Sequence, residues 1–190
     1  MPLFNIHLAN LDSGGSFWGE GTMYVVGNAL KDLFNRVCQD QACAFDSADF
    51  VWNPTAGQIM ANEALVYFVP NQASSVIQRV RPSFSIGSDD GGNTLFQTPS
   101  GWSISEVYIA EVLANAADED EAVMNLAQLA FHETYHNKLQ QGDSMHRPSG
   151  LSSATPTNQQ LNSGDIALMG PAMSRNVPQK TDYLSEGVVP

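Results

Sequence analysis

The sequence predicts one α+β domain over residues 1–190. A small twisted mixed sheet with a backing helix occupies 1–117, a long site-bearing helix 118–142, and a loop-rich lower part 143–190. Three observations predict this architecture. Short apolar runs closed by Pro, Gly or Asn surround one stretch of helical periodicity in the first half. The segment "DEDEAVMNLAQLAFHETYHNKLQQG" begins in acid, carries an apolar stripe and ends in glycine, as a helix does. The remainder is rich in Pro, Ser, Asn and Gly and shows little regular pattern.

In order along the chain, "LFNIHLA" (3–9) alternates loosely and reads as a strand, and "DSGGSFWGEG" (12–21) as a turn-rich connection. A helix over 22–40 follows, with Val26, Leu30, Leu33, Phe34 and Val37 at helical spacing and Thr22 placed to cap it. "DFVW" (49–52) is a short strand, and "ALVYFVP" (64–70) is a buried one ended by proline. Residues 74–82 read as a short helix or an irregular crossing. "GSDDGGNT" (87–94) is a solvated turn whose Asp89, Asp90 and Asn93 offer oxygens to a calcium ion, although the EF-hand pattern is absent. In "SISEVYIAEVL" (103–113), Ser103 and Glu106 imitate a capping box while Val, Tyr and Ile favour strand; strand is expected for the first half. On the 118–142 helix the apolar stripe is Val123, Leu126, Ala127 and Ala130, and Gly142 is the expected residue just past its end.

Composition bounds the function. Twenty acidic residues against 8 basic ones give a formal net charge of −12, and no Lys/Arg cluster offsets it locally. Such a surface repels phosphate backbones and anionic headgroups, so neither nucleic acid nor a membrane is an expected partner. No run of about 18 apolar residues is present to span a bilayer. The N-terminus has no basic start and no sustained apolar run, so a signal peptide is not expected there; export or an extracellular setting is expected in preference to the cytoplasm. The spacing of Cys38 and Cys43 suits either a small disulfide loop or two free thiols. Oligomeric state is not legible.

The chemistry is concentrated in "LAFHETYHNKLQQGDSMH", which holds three of the four histidines. His132 and His136 are four residues apart, so a helix puts both imidazoles on one face. Both rings can then reach one zinc ion at about 2.0–2.1 Å. Glu133 projects beside that ion and is placed to take a proton from an activated water, which is why H-E-x-x-H has this spacing. A catalytic zinc usually takes three protein ligands. His146 is the expected third, because Gly142 stops the helix and "DSM" lets the chain turn back. Asp143 is the alternative, and Glu111 a remote one. His7, in the first strand, is expected to be a hydrogen-bonded structural or an exposed residue and not a ligand.

On these residues the chain resembles the zincin metallopeptidases, and the metzincins in particular. "HETYH", then Gly142, then His146 resembles that family's helix, stop and third ligand, and "DIALMGP" (165–171) resembles its Met-turn. The resemblance implies a zincin-like fold and a Met169 that supports the histidines from below. The departures are specific. Leu139 stands at the family's glycine position, so the helix is expected to run about one turn longer. His146 follows Gly142 by four residues where the family has three. Pro171 stands where some members carry a tyrosine that stabilises the transition state.

The resulting expectation is a zinc-dependent peptidase acting on a peptide or protein, with Glu133 as general base. An extended substrate is expected to pair with the "SEVYI" strand (105–109) by edge addition. Tyr108 and Tyr135 are candidates for stabilising the oxyanion, each with a good core explanation. The alternative class is a zinc-binding module for recognition or toxin association with little general turnover; a third is a metal-free interaction domain.

Overall fold

Four of the five strands run parallel. In the computed structural model, which describes residues 2–12, 19–96 and 101–187, β1 (Leu3–Asn10), β2 (Ser47–Trp52) and β3 (Ala64–Val69) are followed by β4 (Gly92–Phe96) and β5 (Ser103–Tyr108). The sheet order is β2-β1-β3-β5-β4. β4 alone is antiparallel, pairing with β5 through Thr94↔Ser105 and Phe96↔Ser103. The protein therefore has a mixed α/β fold. Two expectations change here. The SEVYI strand is interior, because β3 and β4 occupy both its edges. The second half of "GSDDGGNT" is the start of β4, which is the edge strand beside β5.

Parallel strands are covered on both faces, and their sequences show it. All six residues of β3 and all six of β5 are buried. Phe4, Ile6, Leu8, Val66 and Phe68 face one core with two helices. Leu65, Tyr67, Ile104 and Tyr108 face a second, smaller core on the other side. His7 lies in β1 with its Nε2 2.7 Å from Glu63 Oε2, as a structural residue should.

Helix α1 (Glu20–Cys38) buries the expected stripe of Val26, Leu30, Leu33, Phe34 and Val37 against the sheet. It begins after Gly19, so Thr22 sits inside the first turn and not at the cap. α2 (Val76–Val80) is a short helix whose first N–H groups are taken by the Glu106 carboxylate. α3 (Ile109–Asn115) follows β5 directly, so 103–113 is strand and then helix.

Helix α4 (Glu119–Leu139) organises the molecule. Asp118 caps it by accepting from the Glu121 N–H at 2.9 Å, and three acids crowd the first turn. Its end differs from expectation: the last helical residue is Leu139, and Gln140, not Gly142, takes the left-handed conformation (φ 55°). Gln140 can do so because the end is satisfied without glycine. Its N–H donates to the His136 carbonyl, its side-chain amide to the Asn137 carbonyl at 2.7 Å, and the Arg175 guanidinium to the Leu139 carbonyl at 3.1 Å. A one-face stripe underdescribes this helix, since every residue from Asn125 to Leu139 is buried. The sheet covers it above, α1 flanks it, and the C-terminal part packs below.

That C-terminal part is more regular than its composition suggests. α5 (Ser163–Met173) starts at a capping box in which Asn162 and Asp165 satisfy each other's backbone N–H groups. Met169 is buried in the main core, but in the middle of this helix; the tight Met-bearing turn is not formed. The chain then runs beside the start of β5, with the Ser103 N–H donating to the Pro178 carbonyl and the Lys180 N–H to the Ser103 carbonyl, both at 2.8 Å. Among the described residues, no helix is long and apolar enough to cross a membrane.

Gly92 lets β4 descend onto α4. A Cβ there would lie 2.8 Å from the Glu106 carbonyl oxygen and 3.0 Å from Glu133 Oε1. Gly92→Ala is therefore expected to cost about 1–3 kcal/mol of stability, as overpacking does, read from a urea denaturation midpoint. An unchanged midpoint would mean that the edge strand moves away freely.

Candidate metal centre

Two turns of α4 and one loop bring three histidines together. His132 and His136 project from the same face, with ring centroids 4.6 Å apart. The left-handed Gln140 reverses the chain. A single turn at Asp143–Met145, anchored by buried Met145, then delivers His146 to the other two. Ligand nitrogens of the three residues all lie within 4.8 Å of one another. The Nε2 atoms of His132 and His136 are 3.0 Å apart, and those of His136 and His146 3.2 Å. Two nitrogens bound at 2.0–2.1 Å to one tetrahedral ion sit about 3.3 Å apart. The observed spacing is close to that value, and the trio can hold a metal ion. Asp143 and Glu111 also line the cleft, but neither belongs to the group.

The outer hydrogen bonds decide the ring protons. His132 Nδ1 lies 2.7 Å from the Leu151 carbonyl and His136 Nδ1 2.7 Å from the Gln141 carbonyl. A carbonyl only accepts, so each Nδ1 carries its ring's proton. In the neutral rings both Nε2 lone pairs then face each other across 3.0 Å with no proton between them. A cation resolves that repulsion. Protonation of the rings is disfavoured: burial first, then His136 and His146, holds His132 down to about 3. His136 is lowered as well, mainly by burial.

Glu133 is buried one residue further along the helix and lines the same cleft. Burial pushes its carboxyl up to about 8, reinforced by Glu106, Asp90 and Asp143 and opposed by a hydrogen bond from Thr94. The cleft has a volume of about 1000 Å³. β4 forms its upper wall, α4 its floor and residues 154–158 its lower wall. The lower wall is tied to the floor, since the Asn158 N–H donates to Asn125 Oδ1 at 3.2 Å and to Gln128 Oε1 at 2.8 Å.

Other expectations resolve as follows. Tyr108 donates its hydroxyl to Glu106 at 2.6 Å, on the sheet face away from α4, and Tyr135 is packed into the main core. Neither hydroxyl lines the cleft. Asp90 Oδ2 is engaged within its own loop by the Gly87 N–H and the Asn93 amide, at 2.7 and 3.1 Å, as in a self-closed turn. Cys38 and Cys43 are half-buried thiols; burial, then Cys43, pushes Cys38 up to about 12.

One supporting residue is not foreseen from the histidine pattern. Asp165 is fully buried and accepts from the N–H groups of Leu151 (3.0 Å), Ser152 (2.9 Å) and Asn162 (2.9 Å), and from the Ser152 hydroxyl (2.6 Å). It thereby holds the loop whose Leu151 carbonyl orients His132. Gly150 serves the same close approach with φ +87°, where a Cβ would lie 2.4 Å from Asp165 Oδ2. A signal is present in "NSGD" before an apolar run, a capping-box pattern that marks the start of a helix and not the loop that Asp165 holds.

No family model, curated protein or solved structure matches the chain significantly. What the fold and site define is a class: a mixed α/β domain with a three-histidine centre able to hold a metal ion, in a cleft under an antiparallel edge strand.

Two outcomes are expected. Asp165→Ala should weaken metal affinity by about ten- to a hundredfold, as loss of a ligand's support does, measured by competition with a chromophoric chelator. In chelator, the protein should lose thermal stability as pH falls below 6.5 toward about 3. Unfolded histidine takes up a proton that buried His132 refuses, so the unfolded state gains. His132→Leu has no such proton to take up, and its melting temperature should fall less steeply over that interval.

Proposed function

We propose that this protein is a zinc-dependent metallopeptidase of zincin type, with His132, His136 and His146 as metal ligands and Glu133 as general base. The observation that carries the reading is the pair of facing, unprotonated Nε2 atoms 3.0 Å apart beside a buried carboxyl. An all-imidazole set at this spacing suits zinc, and three protein ligands leave a position open for chemistry. Bound there, zinc supplies Lewis acidity that polarises a carbonyl and acidifies water.

This chain's residues do the rest. Burial keeps the imidazoles neutral, and the Leu151 and Gln141 carbonyls keep their Nε2 atoms turned toward the shared site. Glu133 accepts the proton released by the attacking water and passes it to the leaving amine. Burial raises the Glu133 carboxyl and a cation among the histidines would lower it, so the two effects oppose each other, as suits a group that takes up and gives back a proton. The substrate is a peptide or protein in extended form. It pairs with the outer edge of β4, which bears no further strand among the described residues and walls the cleft above the histidines, and not with the interior β5. Strand addition of this kind supplies main-chain hydrogen bonds and holds a scissile carbonyl over the floor.

Glu133→Gln is expected to keep its zinc and lose about a hundred- to ten-thousandfold in kcat, scored on a peptide library with and without chelator. His136→Ala is expected to lose most bound metal by elemental analysis. Full turnover in the glutamine variant removes the base, and unchanged zinc in the alanine variant removes the ligand set. A zinc-loaded protein that cleaves nothing in the library favours the recognition module instead.

A further inference from the structure

Glu133 is held by a chain of polar side chains that the peptidase reading does not itself require. Thr94, in β4, points toward α4 with its cross-strand partner Ser105. Thr94 Oγ1 lies 2.8 Å from Glu133 Oε2, 3.0 Å from the Glu133 carbonyl and 2.9 Å from Ser105 Oγ. One hydroxyl has one proton, so its neighbours decide where that proton goes.

Those neighbours are ordered from the C-terminal segment inward. Gln179 and Asn137 pair their side-chain amides head to tail: Asn137 Nδ2 donates to Gln179 Oε1 at 2.9 Å, and Gln179 Nε2 to Asn137 Oδ1 at 3.1 Å. Gln179 Nε2 also donates to the Val177 carbonyl at 2.6 Å, which fixes which way the pair faces. The second N–H of Asn137 Nδ2 donates to Ser105 Oγ at 3.1 Å. Ser105 thus receives one proton and gives its own to its nearest acceptor, Thr94 Oγ1 at 2.9 Å, ahead of the Glu133 carbonyl at 3.3 Å. Thr94 in turn gives its proton to the shorter of its two remaining contacts, Glu133 Oε2 at 2.8 Å against the Glu133 carbonyl at 3.0 Å.

The geometry points to Thr94 as a positioning residue: it fixes the Glu133 carboxylate by engaging Oε2, with Oε1 beside Gly92 in the wall of the cleft, and the Gln179–Asn137–Ser105 chain sets the direction of its hydrogen bond. This rests on Glu133 being the base. General bases need placement within a fraction of an ångström, and a buried carboxyl without a fixed donor samples several rotamers. Gly91 and Gly92 permit the arrangement, because a Cβ at either would meet Leu129 at 2.7 Å or Glu133 at 3.0 Å and hold β4 away from the helix.

The test uses the full chain loaded with zinc. Thr94→Val keeps the shape and removes the donor; Thr94→Ser keeps the donor. The valine variant should lose about ten- to a hundredfold in kcat, the scale of a misplaced catalytic group, with KM and zinc content close to the parent, and the serine variant should recover most of that loss. A crystal structure of the valine variant should show the Glu133 carboxylate rotated away from its parent position, a readout that does not depend on turnover. If valine does not fold, Thr94→Ala, which only removes atoms at a partly exposed site, carries the same expectation. An unmoved carboxylate, or equal losses in the valine and serine variants, overturns the positioning role. Wild-type kcat in the valine variant while Glu133→Gln is inactive also overturns it, and leaves the assignment of the base standing. An active Glu133→Gln variant instead overturns the base, and the positioning role with it.

Discussion

The constraint on which the rest depends is the burial of α4 on every side. From Asn125 to Leu139 no residue of this helix is exposed, yet the stretch carries eight polar or charged side chains besides Tyr135. Buried polar groups persist only when paired. Asn125 and Gln128 hold the 158–159 backbone, and Thr134 bonds the Ala130 carbonyl one turn back. Asn137 pairs with Gln179, and Lys138 donates to the Arg175 carbonyl and lies over the Phe4 ring. The histidine Nε2 atoms alone are turned only toward one another. The other polar side chains of this stretch, Tyr135 apart, are paired with protein, whereas the two histidine nitrogens on the helix and the one on the following loop meet, among the described residues, only each other, an arrangement that can hold a cation.

The electrostatics converge on the same point. Burial depresses His132 and His136 and raises Glu133, so low polarity alone moves acid and base toward their neutral forms. Lys138 is pushed down to about 7 for the same reason. Neutral imidazoles are the form that ligates a metal. A divalent cation placed among them favours the ionised form of a neighbouring carboxyl, opposing the effect of burial on Glu133. The environment that makes the metal-free site costly is therefore the one in which a cation has most effect.

Much of this was legible because it is local. "HETYH" places two histidines and a glutamate through helix geometry alone, and the acidic start of α4 and the apolar stripe of α1 need no tertiary information. His146 in preference to Asp143 follows from how the chain leaves the helix, and it survives even though the stop falls at Gln140 rather than Gly142. What was not legible depends on partners distant in sequence. "SEVYI" looks like any strand; that it is interior, and that the glycine-rich GGNTLF segment supplies the edge, is settled by pairing. Met169 was read from a resemblance in seven residues, whereas the Asn162–Asp165 capping box directs the same segment into a helix. Asp165 was hidden because its role lies in holding a loop, and a lone acid in a polar segment carries no mark of that.

The C-terminal part, which composition presents as an appendage, completes the site. Arg175 takes the last carbonyls of α4, and the Arg175 carbonyl in turn receives the buried Lys138 ammonium. A guanidinium at that end also complements the helix dipole. Two residues on, the Val177 N–H donates to the Ala61 carbonyl at 2.7 Å, and Pro178 and Lys180 bracket Ser103 at the start of β5. The same short segment thus touches the end of the helix that carries His132 and His136 and the strand that carries Ser105. Helix and sheet meet through Thr94, Ser105 and Asn137, and a slip of the tail would disturb both sides of that contact. The lower part therefore sets the height of the sheet above the histidines, and with it the width of the cleft between β4 and the groups on its floor.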